Sequence, residues 1–244
     1  MKQEFFEILD NAPLTDSVFR MRLKGDTSAI TAPGQFVNIR LSGHFLRRPI
    51  SVCDAEGEIL TIIYKVVGKG TEQMSRMTHG RLDLLTGLGN GYDTACAGKH
   101  PVLLGGGVGV PPLYKLAKKL LREGKRVTVI LGFNTASEVF YEREFQALGA
   151  ETLVTTVDGS YGRKGFVTDA LAGIPYTYFY TCGPEPMLKA VYRATDTSGQ
   201  MSFEERMGCG FGACMGCSCK TITGYKRICR EGPVMRKEEI LWEK

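Results

Sequence analysis

Apolar and polar residues alternate through much of the first hundred positions. Val18, Phe19, Met21 and Leu23 mark one run over 17–25, and Phe36, Val37, Ile39 and Leu41 mark a second over 35–41. A third run over 59–68, ILTIIYKVVG, is β-branched and apolar almost throughout. Turn residues separate the runs at Pro33-Gly34, at 54–57 and at 87–91. Period-two alternation puts successive side chains on opposite faces, so these runs predict strands. Short strands at this spacing point to an antiparallel barrel or sandwich. One short helix is predicted over 71–78, capped by Thr71, with Met74 and Met77 facing inward.

Near Lys99 the period changes. Residues 101–110, PVLLGGGVGV, read as a fully apolar strand running into glycines. The stretch 111–124 then places Leu113, Leu116, Ala117, Leu120 and Leu121 on one helical face. Pro111 and Pro112 suit the helix start and Gly124 its end. Further strands are predicted over 127–133, 152–157 and 176–183, with helices over 144–150, 166–173 and 184–195. Strands alternating with helices imply βαβ units and a parallel sheet. From about Gln200 the chain reads as a loop rich in Cys and Gly. The pattern thus divides the chain into a barrel over 1–97, a parallel-sheet, Rossmann-like domain over 98–200 and a small cysteine-rich loop subdomain over 201–244.

The composition changes this picture little. The chain has 244 residues, 43% hydrophobic and 23% charged, which is globular and not disordered. A net charge of +5 without a Lys/Arg run argues against nucleic acid. No apolar stretch reaches the roughly 18 residues of a membrane helix. The N-terminus, MKQEFFEILDN, is acidic and lacks the apolar centre of a signal peptide, so a cytoplasmic, reducing location is expected. With three histidines and neither a Ser-His-Asp nor a paired-carboxylate pattern, no catalytic acid, base or nucleophile is assigned.

Cysteine is where the chemistry concentrates. Five of the eight cysteines, Cys209, Cys214, Cys217, Cys219 and Cys229, fall in the last part of the chain. Cys209-x4-Cys214-x2-Cys217 with distal Cys229 reproduces the plant-type [2Fe–2S] spacing. Two irons need four thiolates, and small residues between them let backbone N–H groups turn toward sulfur. A zinc site would favour paired C-x2–4-C units, of which only one exists here; unrelated buried thiols are the third reading. Cys219, two residues beyond Cys217, is expected to point away and not to ligate.

Other elements carry weaker signals. GGGVGVPPL (105–113) joins a strand to a helix, where a dinucleotide pyrophosphate can sit at the helix N-terminus, or where a tight turn can be purely structural. No acidic residue closes the strand over 127–133, and no Arg or Lys is placed there for a 2′-phosphate, which leans toward NAD over NADP. Thr181-Cys182-Gly183-Pro184 is either an ordinary strand–helix corner or a floor for a nicotinamide ring. Arg48 and Ser51 point to opposite faces of a regular strand, and a bend at Pro49 would aim both at one long ligand. Gly68 to Thr71 precede the short helix, where N–H groups and a hydroxyl can hold a phosphate.

Together these features resemble the ferredoxin–NAD(P)+ reductase superfamily and, within it, the electron transfer subunits of dihydroorotate dehydrogenase B. The resemblance rests on RRPIS (47–51), YKVVGKGTEQMS (64–75), LGNGY (88–92), GGGVGVPPL (105–113), VDGSYGRKGFVTDAL (157–171), CGPEPML (182–188), SFEERMGCGFGACMGCSCK (202–220), Cys229 and GPV (232–234). It implies FAD on the barrel, with Arg48 at the pyrophosphate, Pro49, Ile50 and Ser51 along the isoalloxazine, Ile63, Tyr64 and Lys65 flanking ring or ribityl chain, and Gly70 and Thr71 at the phosphates. It implies NADH at Gly106, Gly107, Gly109, Cys182, Gly183 and Pro184, and a [2Fe–2S] cluster on Cys209, Cys214, Cys217 and Cys229. The implied partner is an FMN-containing dihydroorotate dehydrogenase catalytic subunit, two of each chain, that oxidises dihydroorotate to orotate in pyrimidine biosynthesis. The alternative is a diaphorase-type subunit of another complex: an NADP-dependent ferredoxin reductase, a hydrogenase, or a sulfite or sulfide reductase. Gly87 and Met235 depart from the common pattern, which has proline and an aromatic there.

Overall fold

The computed structural model describes residues 1–242; the last two positions of the segment 201–244 lie outside the described residues. Six strands, β1 (Lys2–Pro13), β2 (Val18–Lys24), β3 (Phe36–Arg40), β4 (Arg48–Glu56), β5 (Ile59–Lys65) and β6 (Arg81–Leu88), close into an antiparallel barrel in the order β1-β2-β5-β4-β3-β6. The alternation does what it predicts: Phe6, Met21, Leu23, Val37, Ile39, Leu60, Ile62 and Leu84 fill the interior. β3 is buried on both faces from Phe36 to Ile39 because it is covered on both. Val37 and Ile39 face the barrel core, while Phe36 packs beneath the cysteine-rich segment.

The short helix, α1 (Lys69–Ser75), begins two residues before the predicted start. Thr71 is therefore in its third position and not at its cap. Its hydroxyl accepts from the N–H groups of Val67 (2.9 Å) and Gly68 (3.2 Å) and donates to the Gly68 carbonyl (3.0 Å). Gly68, with no side chain to offer, is the cap, and Thr71 reaches back to close the turn. Met74 is buried in the barrel core, and Met77 packs partly against it.

The second unit is a sheet built from β7 (Pro101–Gly106), α2 (Pro111–Arg122), β8 (Thr128–Phe133), α3 (Glu142–Ala147), β9 (Glu151–Thr156), β10 (Arg163–Lys164), α4 (Val167–Leu171), β11 (Tyr178–Cys182), α5 (Glu185–Ala194) and β12 (Gly199–Ser202). With β15 (Val234–Arg236) the strand order is β10-β9-β8-β7-β11-β12-β15, parallel except for β15. The segment beyond Gln200 is thus not simply loop: β12 and β15 extend the sheet, and β13 (Ser218–Thr221) pairs with β14 (Gly224–Arg227) as a hairpin. Strands of three or four residues are too short to display a period, and β12 and β15 owe their pairing to residues far away in the chain.

Helix α2 joins the two units. Leu113, Leu116, Ala117 and Leu120 are buried in a core shared with Cys53 and Ile63 of the barrel. On its flank Lys118 Nζ pairs with Asp54 (2.8 Å) and Glu56 (2.9 Å) of β4, and Arg122 pairs with Glu56 at 2.8 Å. Burial of the helix face supplies most of the attachment, at about 1.5–3 kcal/mol per buried leucine. The ion pairs fix the register.

The cysteine-rich segment is clamped between barrel and sheet. Asn90 donates to the carbonyls of Glu231 (3.0 Å) and Val234 (2.7 Å) and accepts from Val234 N–H (3.1 Å). The motifs 88–92 and 232–234, distant in sequence, are two halves of this clamp. Cys217, Ile228, Cys229 and Met235 pack with Phe36 and Leu88 of the barrel. Gly87, near the end of β6, has φ +67, and a Cβ there would meet the Ala29 carbonyl oxygen at 2.8 Å, so this position requires glycine.

Candidate functional site

A cleft of about 530 Å³ opens at the carboxyl ends of the parallel strands, the usual ligand position in such sheets. Gly106, Gly107, Gly109, Gly183 and Pro184 line it, as does Lys65 from the barrel. Cys182 lies just beneath, buried, its thiol pushed up to about 12 by burial. That keeps it a neutral spacer and not a nucleophile. The glycines are explained by contact: a Cβ on Gly109 would lie 2.3 Å from the Cys182 carbonyl oxygen, and those on Gly106 and Gly183 would meet Met187 Sδ at 2.4 and 2.7 Å.

One expectation about this loop changes. Pro111 and Pro112 occupy the first two positions of α2 and have no N–H, so the helix start offers few donors to an anion. The donors must come from the tight turn of Gly107–Gly109, where Gly107 takes φ +51.

The other end of the cleft lies over β8 and β9, lined by Asn134, Glu138, Thr155, Val157 and Phe166. The absence of an acidic residue at the close of β8 holds for the strand itself but not for the fold. Glu138, from a turn just after the strand, reaches back and accepts hydrogen bonds from Asn134 N–H (3.1 Å) and Nδ2 (2.9 Å). Sequence reasoning missed it because the loop, not the strand, delivers it.

On the barrel, Arg48 leaves β4 and lies over α1. Its Nε is 2.2 Å from where a Gly70 Cβ would be, so any side chain there would push the guanidinium away from this position. Nη2 meets His44 Nδ1 at 2.8 Å and Nη1 donates to the Leu46 carbonyl at 2.5 Å. Arg48, Gly70 and Thr71 are therefore brought together. Between Arg48 and Ser51, β4 runs regularly against β3, so their side chains leave on opposite faces, with Ile50 turned to the barrel core. Pro49 does not bend the strand. The Tyr64 ring is also turned inward: its hydroxyl donates to Asn11 Oδ1 at 3.0 Å, the ring stacks on Phe19, and burial pushes its pKa up to about 12. Ile63 points into the core shared with α2, and Lys65 is exposed at the cleft. Of the stretch 63–65, only Lys65 presents its side chain to the cleft. A second, open hollow of about 880 Å³ on the barrel, lined in part by Phe5, Asp26, Glu58 and Arg81, holds none of the residues singled out from the sequence.

The four cysteines form two pairs. Ala213 N–H (3.2 Å) and Cys214 N–H (3.4 Å) point at Cys209 Sγ, and Cys209 N–H points at Cys214 Sγ (3.4 Å). Cys229 N–H points at Cys217 Sγ at 3.4 Å. Burial alone would raise Cys209, but the surrounding N–H groups and the Cys214 thiol hold it down at about 6, whereas burial and Cys217 push Cys229 up to about 12. Among the described residues no three potential ligands converge as on a single ion. Two thiol pairs suit two irons, each taking one pair, better than four ligands around one zinc. The loop turns tightly through Gly210 (φ +78), Gly212 (φ +94) and Met215 (φ +61). Asn38 Nδ2 donates to the Cys209 carbonyl (3.1 Å) and Arg227 Nη1 to the Gly212 carbonyl (2.6 Å), fixing the loop to β3 and to the hairpin. Asn38 Oδ1 is buried without a partner among the described residues. Cys219 faces Met235 Sδ at 3.8 Å, apart from the four.

Comparison with known proteins places this geometry. The family model described as the iron-sulfur cluster binding domain of dihydroorotate dehydrogenase B matches residues 204–241, and the oxidoreductase NAD-binding domain matches 103–193. The chain is 44% identical to the dihydroorotate dehydrogenase B (NAD(+)) electron transfer subunit of Geobacillus sp. (strain WCH70), covering 99% of both chains. It is 43% identical to the protein of that description from Fusobacterium nucleatum subsp. nucleatum, over 98% of this chain and 99% of the relative. Among solved structures, an NADH-dependent reduced ferredoxin-NADP oxidoreductase studied for flavin-based electron bifurcation superposes with TM-score 0.88 at 31% identity, over 97% of this chain and 90% of that one.

Proposed function

The chain belongs to the family of electron transfer subunits of dihydroorotate dehydrogenase B, and from that premise we propose how its residues divide the work. It is an oxidoreductase subunit that uses FAD, a [2Fe–2S] cluster and NAD(H) to carry electrons between NADH and a catalytic partner subunit. The chemistry these groups supply when bound is the conversion of the electron pair of NADH into single electrons for the partner.

The chain's own part is to hold and to space. We assign residues 1–97 to FAD, 98–200 to NADH and 201–244 to the cluster. Arg48, packed over Gly70, sits where a flavin pyrophosphate would meet a fixed cation. Ser51 and Pro49 face outward from β4, while Ile50 and Tyr64 act from behind by shaping the barrel. The turn at Gly107–Gly109 and the floor of Cys182, Gly183 and Pro184 take the dinucleotide. Cys209 and Cys214 hold one iron, Cys217 and Cys229 the other. The observation that carries this reading is that all three segments line one cleft: Lys65 from the barrel, Gly183 from the sheet and Glu204 from the head of the cysteine-rich segment.

For the partner, we assign an FMN-containing subunit that oxidises dihydroorotate to orotate, with two copies of each chain. The cluster loop supports docking there: Cys214 is exposed, and Phe211 and Met215 present 41% and 53% of their surfaces to solvent. Eight free thiols suit the reducing cytoplasm, and no described helix is long and apolar enough to cross a membrane. The test is gentle purification of the native complex. Co-elution of an FMN protein, and NADH formation from NAD+ on adding dihydroorotate, are expected. The likeness to the ferredoxin-NADP oxidoreductase favours a second reading, a subunit of another flavin complex. Co-elution with a different redox partner, and no response to dihydroorotate, would establish that instead.

A further inference from the structure

β3 carries the cysteine-rich segment on its outer face. Val37 and Ile39 fill the barrel, so Phe36 and Asn38 leave on the other side. In the ladder to β4, Phe36 stands opposite Ser51 and Asn38 opposite Pro49. Residues opposite each other in an antiparallel pair share a face. Phe36, Asn38, Pro49 and Ser51 therefore form one outer surface, and the β4 half of it is the flavin face assigned above. The two thiol pairs meet the β3 half at different residues. Phe36 packs with Cys217 and Cys229, while Asn38 Nδ2 donates to the Cys209 carbonyl at 3.1 Å. Asn38 thus ties the strand pair that bears the flavin face to the Cys209–Cys214 side of the loop.

Stability does not explain an asparagine at this position. Asn38 is 1% exposed, and its Oδ1 is buried with no partner among the described residues. A buried acceptor left unpaired costs about 1–3 kcal/mol, more than the roughly 0.5–1.5 kcal/mol that one amide hydrogen bond contributes. Asn90, which clamps the far end of the segment, is the contrast: its nitrogen donates twice and its oxygen accepts once. The approach at Asn38 is also close. A Cβ on Gly210 would lie 2.3 Å from Nδ2, so the loop reaches the amide there with a glycine. Arg47 fixes the backbone beneath, donating from Nη1 to the Asn38 carbonyl at 3.2 Å and from Nη2 to the Asp83 carboxylate at 3.0 Å. An amide is therefore held against a ligand residue at a net cost to folding, as is expected of a group kept for function.

We propose that Asn38 is a positioning residue for the iron–sulfur centre: its amide holds the Cys209 peptide and raises the reduction potential of the cluster toward that of the flavin. Reduction moves one electron from the reduced flavin to the cluster, which adds one negative charge to the four-thiolate centre. The Asn38 N–H presents its positive end to the carbonyl of a ligand residue. A hydrogen bond strengthens as its acceptor side becomes more negative, so this one favours the reduced form. Hydrogen bonds around the ligands are among the levers that set such potentials. The proposal rests on the reading of the four cysteines as cluster ligands.

The test uses the purified holo chain. The cluster potential is read by redox titration under electron paramagnetic resonance, beside iron content, melting temperature and reduction of the flavin by NADH. Asn38→Leu keeps nearly the shape of the side chain and removes both polar ends. It is expected to shift the reduction equilibrium roughly 3- to 10-fold against the reduced cluster, the worth of one hydrogen bond. For a one-electron couple that lowers the potential by up to about 59 mV. Iron, flavin and the NADH reaction hold, because Phe36 and the bond from Arg227 to the Gly212 carbonyl still seat the loop. The melting temperature does not fall, because the unpaired Oδ1 leaves with the amide. Asn90→Leu is the control for a loosened segment: it breaks three hydrogen bonds, so its melting temperature falls while the potential stays. An unchanged or raised potential in Asn38→Leu, loss of its iron, or an equal shift of potential in Asn90→Leu overturns the proposal. A wild-type chain without iron removes the reading of the cysteines, and the proposal with it.

Discussion

Replacing Gly109 by alanine is the sharpest steric test of the dinucleotide cleft. The added Cβ would stand 2.3 Å from the Cys182 carbonyl oxygen and 2.6 Å from Gly183 N. Ordinary contact begins near 3.4 Å, so the turn and the end of β11 must separate by about an ångström. Both obstacles are backbone atoms, held in β11 by its parallel ladders to β7 and β12. They cannot swing aside as a side chain would. Overpacking of this kind costs about 1–3 kcal/mol. Moving a binding surface by an ångström can lower a rate by roughly 100-fold. Gly106→Ala is the matched control: its Cβ would meet no backbone atom, only Met187 Sδ, the mobile end of a flexible side chain, at 2.4 Å and Pro184 Cδ at 3.3 Å. The assay pairs thermal unfolding with NADH-driven reduction of an artificial acceptor. Gly109→Ala is expected to unfold several degrees lower, with NADH kcat/KM down roughly 10- to 100-fold and flavin and iron retained. Gly106→Ala should keep the wild-type melting temperature. A Gly109→Ala protein with unchanged melting temperature and NADH kinetics would refute the close approach of the turn to β11.

Three further outcomes follow from the geometry. Cys214→Ser should strip iron and sulfide from the purified chain and stop electron delivery to the partner, while the flavin still bleaches with NADH; iron content at the wild-type level would contradict the ligand set. Arg48→Ala should lower FAD retention by about 1.5–3 kcal/mol, roughly 10- to 100-fold in affinity, measured by fluorescence of released flavin. Lys118→Met should destabilise the junction of barrel and sheet by about 1–3 kcal/mol, because Asp54 keeps its charge, largely buried, and is left with only the Ala55 N–H in place of its cation. Hydrogen bonds from Lys118 and Arg122 hold the Glu56 carboxyl below its usual range, so that contribution is complete above pH about 4.5 and is lost as the pH falls through the lowered value. The gap in melting temperature between wild type and Lys118→Met should therefore narrow on acidification, and a gap that widens would reverse the sign of the argument.

Much of this was legible in the residues themselves. The barrel follows from alternation, the parallel sheet from apolar strands joined to an amphipathic α2, and the set of four cysteines, though not their grouping in pairs, from the spacing of Cys209, Cys214, Cys217 and Cys229. What escaped the sequence depended on which way a residue faces or on what a distant segment supplies. Tyr64 and Lys65 are neighbours with opposite fates, one phenol inside the barrel and one ammonium at the cleft, because strand alternation is clear only once the register is known. Glu138 escaped because a turn folds it back onto Asn134. The strands β12 and β15 escaped because each is short and its partner is far along the chain. Thr71 was placed at the cap of α1 by its residue type, yet it caps from the third position, because Gly68 has no side chain with which to do so. The clamp of Asn90 on 231–234 joins two loops that carry no period at all.

The central claim is that an NADH-reducible flavin and a two-iron, four-thiolate centre share this one chain. Anaerobic titration of the purified protein with NADH, followed by visible and electron paramagnetic resonance spectroscopy with iron and sulfide analysis, tests it directly. The account predicts two irons and two sulfides per chain, bleaching of the flavin, and the spin signal of a reduced [2Fe–2S] centre at sub-stoichiometric to stoichiometric NADH. A protein holding one zinc in place of iron, or a cluster that a chemical reductant reduces but NADH does not, would contradict it.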